Sequence, residues 1–412
     1  MWGLPLVRPL EDDWRDTLDA VARAHGYPSS REPARLGALV AELSAAYNDA
    51  ARARAAAART GAARLGFSFA RDVPKGAAVV RELVATGRLR LDGSLRVLDV
   101  GAGLGATTWG VVRALEAAGQ RGTVEATWVD ADARALELAK AVASARTGRG
   151  AVDVRPRILP RPVSSLDDLP RFDLVLAGQL FSELDVGTPD AERVELHAAL
   201  LTAWLERRVD DHGALVVVEP ALRDRTRHLH RVRDTLAARS GVTVFAPCLH
   251  AAACPALARE GDWCHEDLPV DLPSWLVPVA RAAGLRHEGL TFSYLVLRKD
   301  GARLADAVAA TAGSARLRVV SDAMPSKGKR EAFLCGELRR EDALVAGRVR
   351  AMRLDRDRTS GNAAWDVASR GDVLVVEPAV ELERARIGRG TSVRVAAPGG
   401  ADHEGAAAGE SR

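Results

Sequence analysis

The stretch Leu95-Arg-Val-Leu-Asp-Val-Gly-Ala-Gly-Leu-Gly105 constrains this chain more than any other. An apolar strand pattern runs into Asp99, then Gly101, Gly103 and Gly105 alternate with other residues, and an amphipathic helical pattern starts near Thr107. Glycine adopts left-handed dihedrals and lets a backbone approach a ligand closely, while the first turn of the following helix leaves N–H donors for a carboxylate or phosphate. Strand, tight glycine turn and helix, in that order, open a doubly wound parallel sheet.

The chain between Arg96 and Lys299 continues the pattern, alternating β-branched runs with Ala/Leu-rich helical stretches. The expected strands are Arg96 to Val100, Val124 to Asp130, Val152 to Leu159, Asp173 to Ala177, Ala214 to Glu219, Val242 to Ala246 and Leu290 to Arg298. A helix over Pro273 to Ala283 precedes the last strand, and Pro247 to Pro269 is a long Cys-bearing connection that needs a reason to be ordered. Before the sheet, Pro33 to Ala63 has helical periodicity, and Pro74 and Gly76 precede a further helical stretch through Val84. After it come short strands at Leu317 to Ser321, Ala332 to Leu338, Leu344 to Arg353, Asp372 to Glu377 and Ser392 to Ala396.

The fold class is therefore α/β: a doubly wound, Rossmann-like sheet of about seven strands, with N-terminal helices and a small β-rich C-terminal domain. The expected limits are 1–92 for the helices, 93–300 for the sheet domain with an insertion at 247–270, 301–397 for the β-rich domain, and 398–412 for a disordered tail.

Composition excludes several classes. A chain of 412 residues with 47% hydrophobic and 27% charged residues has the makings of a globular core, and a net charge of +3 does not by itself call for a polyanionic partner. Only five of the 58 basic residues are Lys; Arg suits phosphate and base stacking, but its enrichment runs along the whole chain, as genomic base composition would produce. No run of about 18 apolar residues suggests a membrane span, and Met1 to Asp12 lacks a basic segment followed by an apolar one. The expectation is a cytoplasmic monomer without a membrane. Four Cys are too few for a disulfide scaffold.

Further residues point to the turn's ligand. Asp130 ends the second strand, where a carboxylate can accept both hydroxyls of a ribose, and Asp99 stands early in the turn, where it can meet an ammonium group. Phe172-Asp-Leu-Val-Leu-Ala-Gly178 and Leu215-Val-Val-Val-Glu-Pro220 supply strands four and five. Together these resemble the motifs of the S-adenosylmethionine-dependent methyltransferase superfamily, which implies Asp99, Gly101, Gly103, Gly105, Asp130 and Gly178 as the cofactor set. Other readings stay open: the glycines could shape a turn without a ligand, and Asp130 could cap a helix. NAD would need Gly-x-Gly-x-x-Gly, whereas the third glycine here comes one residue too soon.

Cys248, Cys254 and Cys264 fall within seventeen residues of the long connection, and Cys335 follows seventy-one residues later. Four thiolates suit zinc or an iron–sulfur cluster. Zinc ribbons pair their Cys with two to four residues between, so the wide, irregular spacing favours iron and sulfur; four buried thiols without metal is the third reading. His250 and His265 flank these Cys as substitute ligands or polar partners.

Ala246-Pro-Cys-Leu-His250, Ala253-Cys-Pro-Ala-Leu257, Gly261-Asp-Trp-Cys-His265, Phe292-Ser-Tyr-Leu295 and Lys327-Gly-Lys-Arg leading to Cys335 resemble a more specific family. It is that of the methyltransferase-like small-ribosomal-subunit assembly factors, Rsm-type in mitochondria and also bacterial. The resemblance runs from about Phe69 to Gly336 and implies a [4Fe-4S] cluster on Cys248, Cys254, Cys264 and Cys335, with small-subunit rRNA and proteins as partners. Leu249 stands where relatives often have Pro.

Catalysis is less legible. Base-nitrogen methyltransferases often carry Asn-Pro-Pro-Tyr after strand four; here the chain reads Ala177-Gly-Gln-Leu-Phe-Ser-Glu183, with Gln179 and Glu183 expected at a helix start as caps or surface groups. Two basic sets could neutralise rRNA phosphates: Arg223, Arg225, Arg227, Arg231 and Arg233, and Lys327, Lys329 and Arg330. Three functions follow: an rRNA-binding assembly or translation factor, an active rRNA methyltransferase, and an iron–sulfur redox sensor on the same scaffold.

Overall fold

In the computed structural model, the described residues are 4–47 and 60–396. The expected tail, 398–412, and the part of the helical pattern between 48 and 59 lie outside them. The chain divides into two compact units: a larger one running through Val244 and including Gly261–Gly301, and a smaller one made of Phe245–Glu260 and the chain from Ala302 on.

The main sheet is built on β1 (Gly93–Val100), β2 (Gly122–Asp130), β3 (Val152–Pro160), β4 (Phe172–Gly178), β5 (Val209–Glu219), β6 (Thr243–Ala246), β7 (Glu266–Leu268) and β8 (Leu290–Arg298), all in the larger unit except the last two residues of β6. Their order is β3-β2-β1-β4-β5-β8-β6, with β7 paired to β8. β1 to β5 pair in parallel, and β8 runs antiparallel to both β5 and β7. A sheet covered on both faces needs apolar side chains pointing both ways, which is why its central strands read as continuous apolar runs. Val97, Leu98 and Val100 in β1, and Leu215, Val216 and Val217 in β5, are all fully buried. The seven expected strands are present; β7, with three residues, is an addition too short to show periodicity. The order reverses between β1 and β4, and a crevice at the carboxyl ends of those strands is where open α/β sheets bind ligands.

The helices are α1 (Asp12–Ala24), α2 (Pro33–Tyr47), α3 (Phe69–Ala85), α4 (Ala106–Ala117), α5 (Ala133–Arg146), α6 (Asp190–Arg208), α7 (Arg223–Ala237) and α8 (Val277–Ala282). One expectation needs correction: Pro74 does not stand before a helix but inside α3, which is entered through a π turn at Arg64–Ser68. Burial overrides the helix-breaking tendency of proline, because Val73, Ala77, Ala78 and Val80 are all packed away from water. α3 meets α4 backbone to backbone: a Cβ on Gly110 would lie 2.3 Å from the Val73 carbonyl oxygen, and one on Gly76 would lie 2.4 Å from that of Thr107.

The smaller unit carries a sheet of β9 (Ala315–Val319), β10 (Met324–Ser326), β11 (Lys329–Arg340), β12 (Ala343–Leu354), β13 (Val373–Glu377) and β14 (Ser392–Val395). The order is β10-β11-β9-β13-β14, with β12 on β11, and every pair is antiparallel. Alternate residues face one core, in which Leu317, Leu334, Leu338, Leu374 and Val376 gather with Trp365. Among the described residues, no helix of the protein is long and apolar enough to cross a membrane.

Candidate functional site

The glycine turn sits at the strand-order reversal. Gly101, Gly103 and Gly105 all take left-handed dihedrals, with φ of 70°, 51° and 76°. The neighbours of two of them are close: a Cβ at Gly101 would meet Leu180, and one at Gly105 would meet the Trp128 ring, each at 2.9 Å. Around Gly103 there is nothing within 4 Å of that position, so its backbone borders open space. Gly178, at the end of β4, has a different reason to be glycine, since a Cβ there would come within 2.3 Å of the Thr107 hydroxyl.

Asp99 is 1% exposed, and its Oδ2 accepts from the Thr108 hydroxyl at 2.7 Å and the Thr108 amide at 3.3 Å. Trp128 Nε1 donates to the same hydroxyl at 3.0 Å. Asp99 Oδ1 is buried and has no hydrogen-bond partner among the described residues. Burial, reinforced by the nearby Asp130 charge, pushes the Asp99 carboxyl up to about 7. A buried acceptor without a donor, beside a glycine turn with free space, fits a ligand that brings an ammonium group.

Asp130 Oδ2 accepts from the Gly103 amide and Oδ1 from the Asp132 amide, both at 2.8 Å. The helix cap is Asp132, which accepts from the amides of Arg134 and Ala135 at the start of α5. Asp130 thus bridges the glycine turn and the backbone of the cap residue, while the capping of α5 itself is done by Asp132.

The loop after β4 departs from expectation. α6 begins only at Asp190, so Gln179 and Glu183 do not stand at a helix start. The loop is held from both sides: Glu219, at the end of β5, accepts from the Phe181 amide at 2.8 Å and the Ser182 amide at 3.1 Å. Arg193 donates to the carbonyls of Phe181 at 2.6 Å and Leu184 at 3.0 Å. Burial raises Glu219 to about 7, and burial also raises Glu183. Sequence reasoning missed Glu219 and Arg193 as a pair because they stand at opposite ends of two consecutive elements, Arg193 in the first turn of α6 and Glu219 at the end of β5, and neither pattern points to the loop they hold; the one available signal was an acid closing the apolar run of β5.

The basic residues do not form two open patches. On α7, Arg233 is 1% exposed and donates to Asp234 at 2.7 Å, so it belongs to the interior, whereas Arg223 and Arg231 are exposed. In the smaller unit, Lys327 is exposed on the turn before β11, Lys329 pairs with Glu331 at 3.0 Å, and Arg330 donates to the carbonyls of Trp365 and Ala368.

The four cysteines are half-buried and form no disulfide. Cys248, Cys254 and Cys335 fall in the smaller unit, where Cys335 Sγ lies 3.8 Å from His250 Nε2, and Cys264 falls in the larger one. On the sheet, Cys335 pairs in register with Arg318 of β9 and Arg348 of β12. Among the described residues no three His, Cys, Asp or Glu side chains converge as a metal site. The thiol donors suit a cluster chemically.

No curated protein matches the chain. Solved structures similar to it include the plantazolicin methyltransferase BpumL in complex with SAH, at 9% identity and TM-score 0.35, covering 66% of this chain and 97% of that one. Another is precorrin-6y C5,15-methyltransferase from Geobacter metallireducens, at 17% identity and TM-score 0.27, covering 52% of this chain and 84% of that one. The fold itself rests on the strand order and register above. The family described as mitochondrial small ribosomal subunit Rsm22 matches residues 87–360, more than half of the chain, which therefore belongs to the Rsm22 family.

Proposed function

We propose that this protein binds S-adenosylmethionine at the glycine turn and serves the small ribosomal subunit as an assembly or translation factor that contacts rRNA. The observation that carries the reading is Asp99 Oδ1, a buried acceptor with no donor among the described residues, at the turn where Gly103 borders open space. Asp99 would take the ammonium group of the ligand and Asp130 its ribose hydroxyls, while Gly101, Gly103, Gly105 and Gly178 keep the backbone close. When bound, the cofactor supplies an electrophilic methyl group. Family membership supports the ribosomal partner, and cytoplasm is the compartment proposed, although the family's description names the mitochondrion.

The same proposal gives Cys248, Cys254, Cys264 and Cys335 a [4Fe-4S] cluster, with zinc as the alternative, and makes Lys327 the exposed member of its basic set for rRNA. The support is four half-buried thiols, none of them in a disulfide. Active methylation of rRNA is the second reading, favoured by the firmly held β4 loop beside the turn.

Calorimetric titration with S-adenosylhomocysteine should give binding that Asp130→Ala weakens at least about tenfold, the loss of roughly 1.4 kcal/mol; absence of binding to the unaltered protein overturns the cofactor site. Sedimentation with immature small subunits tests the partner, and transfer of labelled methyl groups to rRNA separates enzyme from factor. For the cluster, anaerobic purification should give about four irons per chain, lost in Cys264→Ser. Zinc alone would select the alternative, and no metal would remove both.

A further inference from the structure

Behind the β4 loop lies a cavity of about 210 Å³, walled by α6 and α7 and lined by Phe181, Ser182 and Glu219 at the strand ends. It is smaller than the roughly 300–1,000 Å³ that holds a drug-sized ligand, so it suits one small polar group. Four guanidiniums line it: Arg193 from α6, and Arg225, Arg227 and Arg231 from α7. Arg225 stands near enough to Glu183 and Glu219 for its charge to favour their ionised forms, and the other three have the following contacts. Arg193 is fixed by the carbonyls of Phe181 and Leu184, and Arg227 donates to the Asp262 carbonyl at 2.6 Å. A carbonyl orients a guanidinium without cancelling its charge. Arg231 meets a carboxylate, Asp190, only at 3.6 Å, with the aspartate largely exposed.

The remaining lining is consistent with a positive interior. His197 is fully buried and shares a 2.9 Å hydrogen bond with His228. Both are pushed down to about 4 by burial, with Arg193 adding to the shift, so the imidazoles stay neutral and leave the guanidiniums as the cations. Of the three acids in the wall, Asp190 and Asp224 are solvent-exposed, and Glu219 has both oxygens turned to backbone amides.

We propose that this cavity seats a phosphate of single-stranded RNA, gripped by Arg225 and Arg231 with Arg193 and Arg227 completing the field. A tetrahedral anion with several acceptors matches planar guanidiniums arriving from two helices. The RNA source of the phosphate rests on the reading above; the anion seat itself rests on the cavity alone. The roof of the cavity is the loop that leaves Gly178, so a strand held here is delivered to the carboxyl ends of β4 and β5, next to the glycine turn.

The test uses the full chain and a fluorescein-labelled single-stranded oligouridylate of about twelve nucleotides, followed by anisotropy over a range of salt. Arg225→Gln/Arg231→Gln should weaken binding about tenfold or more and flatten the salt slope by about 1.4, the value for two lost contacts to a single strand. Arg121→Gln/Arg149→Gln, which removes two exposed charges beside the amino ends of β2 and β3, should do neither. Equal weakening by both pairs, or none by the first, overturns the seat. Should the first pair fold poorly, hydrogen exchange on the unaltered protein decides: RNA should protect the amides of the 179–184 loop, and no protection overturns the proposal. Inorganic phosphate or AMP binding through the same arginines, with RNA not bound, would keep the anion seat and overturn the RNA source. Titration with S-adenosylhomocysteine stands apart, since failure there strikes the cofactor reading and leaves the seat unaffected.

Discussion

Asp99 and Glu219 are buried carboxyls whose protons are held up to about 7, from ordinary values of 3.8 and 4.5. Their folded form binds protons more tightly than the unfolded chain, so the stability they lend is full below about pH 4 and is lost as pH rises through 7. His197, His228 and His230 are the reverse: burial lowers each from 6.5 to about 4, and their contribution, present above 6.5, is lost as pH falls towards 4. The two sets oppose each other between about pH 4 and 6.5, and once the histidines are neutral in both states the carboxyl loss stands alone as a fall in melting temperature that levels off just above pH 7. Asp99→Asn, which can keep an acceptor for Thr108, should reduce the alkaline decline and weaken S-adenosylhomocysteine binding; an unchanged alkaline limb would show that Asp99 is not a source of it. The acidic residues of the site could be read from sequence because each stands at the end of an apolar strand run, Asp99 two residues before Gly101 and Asp130 as the last residue of β2. The histidines could not, because His197 and His228 meet only when α6 and α7 pack side by side.

At the level of elements, the strands of the larger unit were legible because a sheet buried on both faces writes itself as runs such as Leu215-Val-Val-Val. β7 and β10 were not, each having three residues. The start of α3 was misread because Pro74 is a strong local signal overruled by packing. What allows that packing is the Gly76–Gly110 contact, where no side chain intervenes between two backbones. Gly110→Ala should therefore destabilise the protein by more than the ~1–3 kcal/mol typical of overpacked side chains, since the obstructing atoms are backbone. Urea unfolding would measure it, and a midpoint equal to the unaltered protein would mean that the two helices can separate freely.

For the whole molecule, the less legible feature is how the chain shares itself between units. The cysteine-bearing connection reads as an insertion within the sheet domain, yet residues 245–260 cluster with the unit that begins again at Ala302. Composition carries no sign of this, because the partners are separated by more than forty residues of α/β chain. Leu249, 4% exposed, is the reporter. A chain ended after Gly301 should keep the parallel sheet and bind S-adenosylhomocysteine, while chymotrypsin cuts at Leu249, a site protected in the full chain; equal protection in both would show that the segment needs nothing beyond residue 301.

This discontinuity also sets a timetable. During synthesis Cys254 is made 81 residues before Cys335 (335 − 254), an interval of roughly 4–16 s at ordinary elongation rates of about 5–20 residues per second. Within that interval Phe245–Glu260 is complete before any strand of the smaller unit's sheet, which begins at Ala315, has been made. Cys248 and Cys254 are therefore already in the chain, on a segment without its sheet, when Cys335 is added.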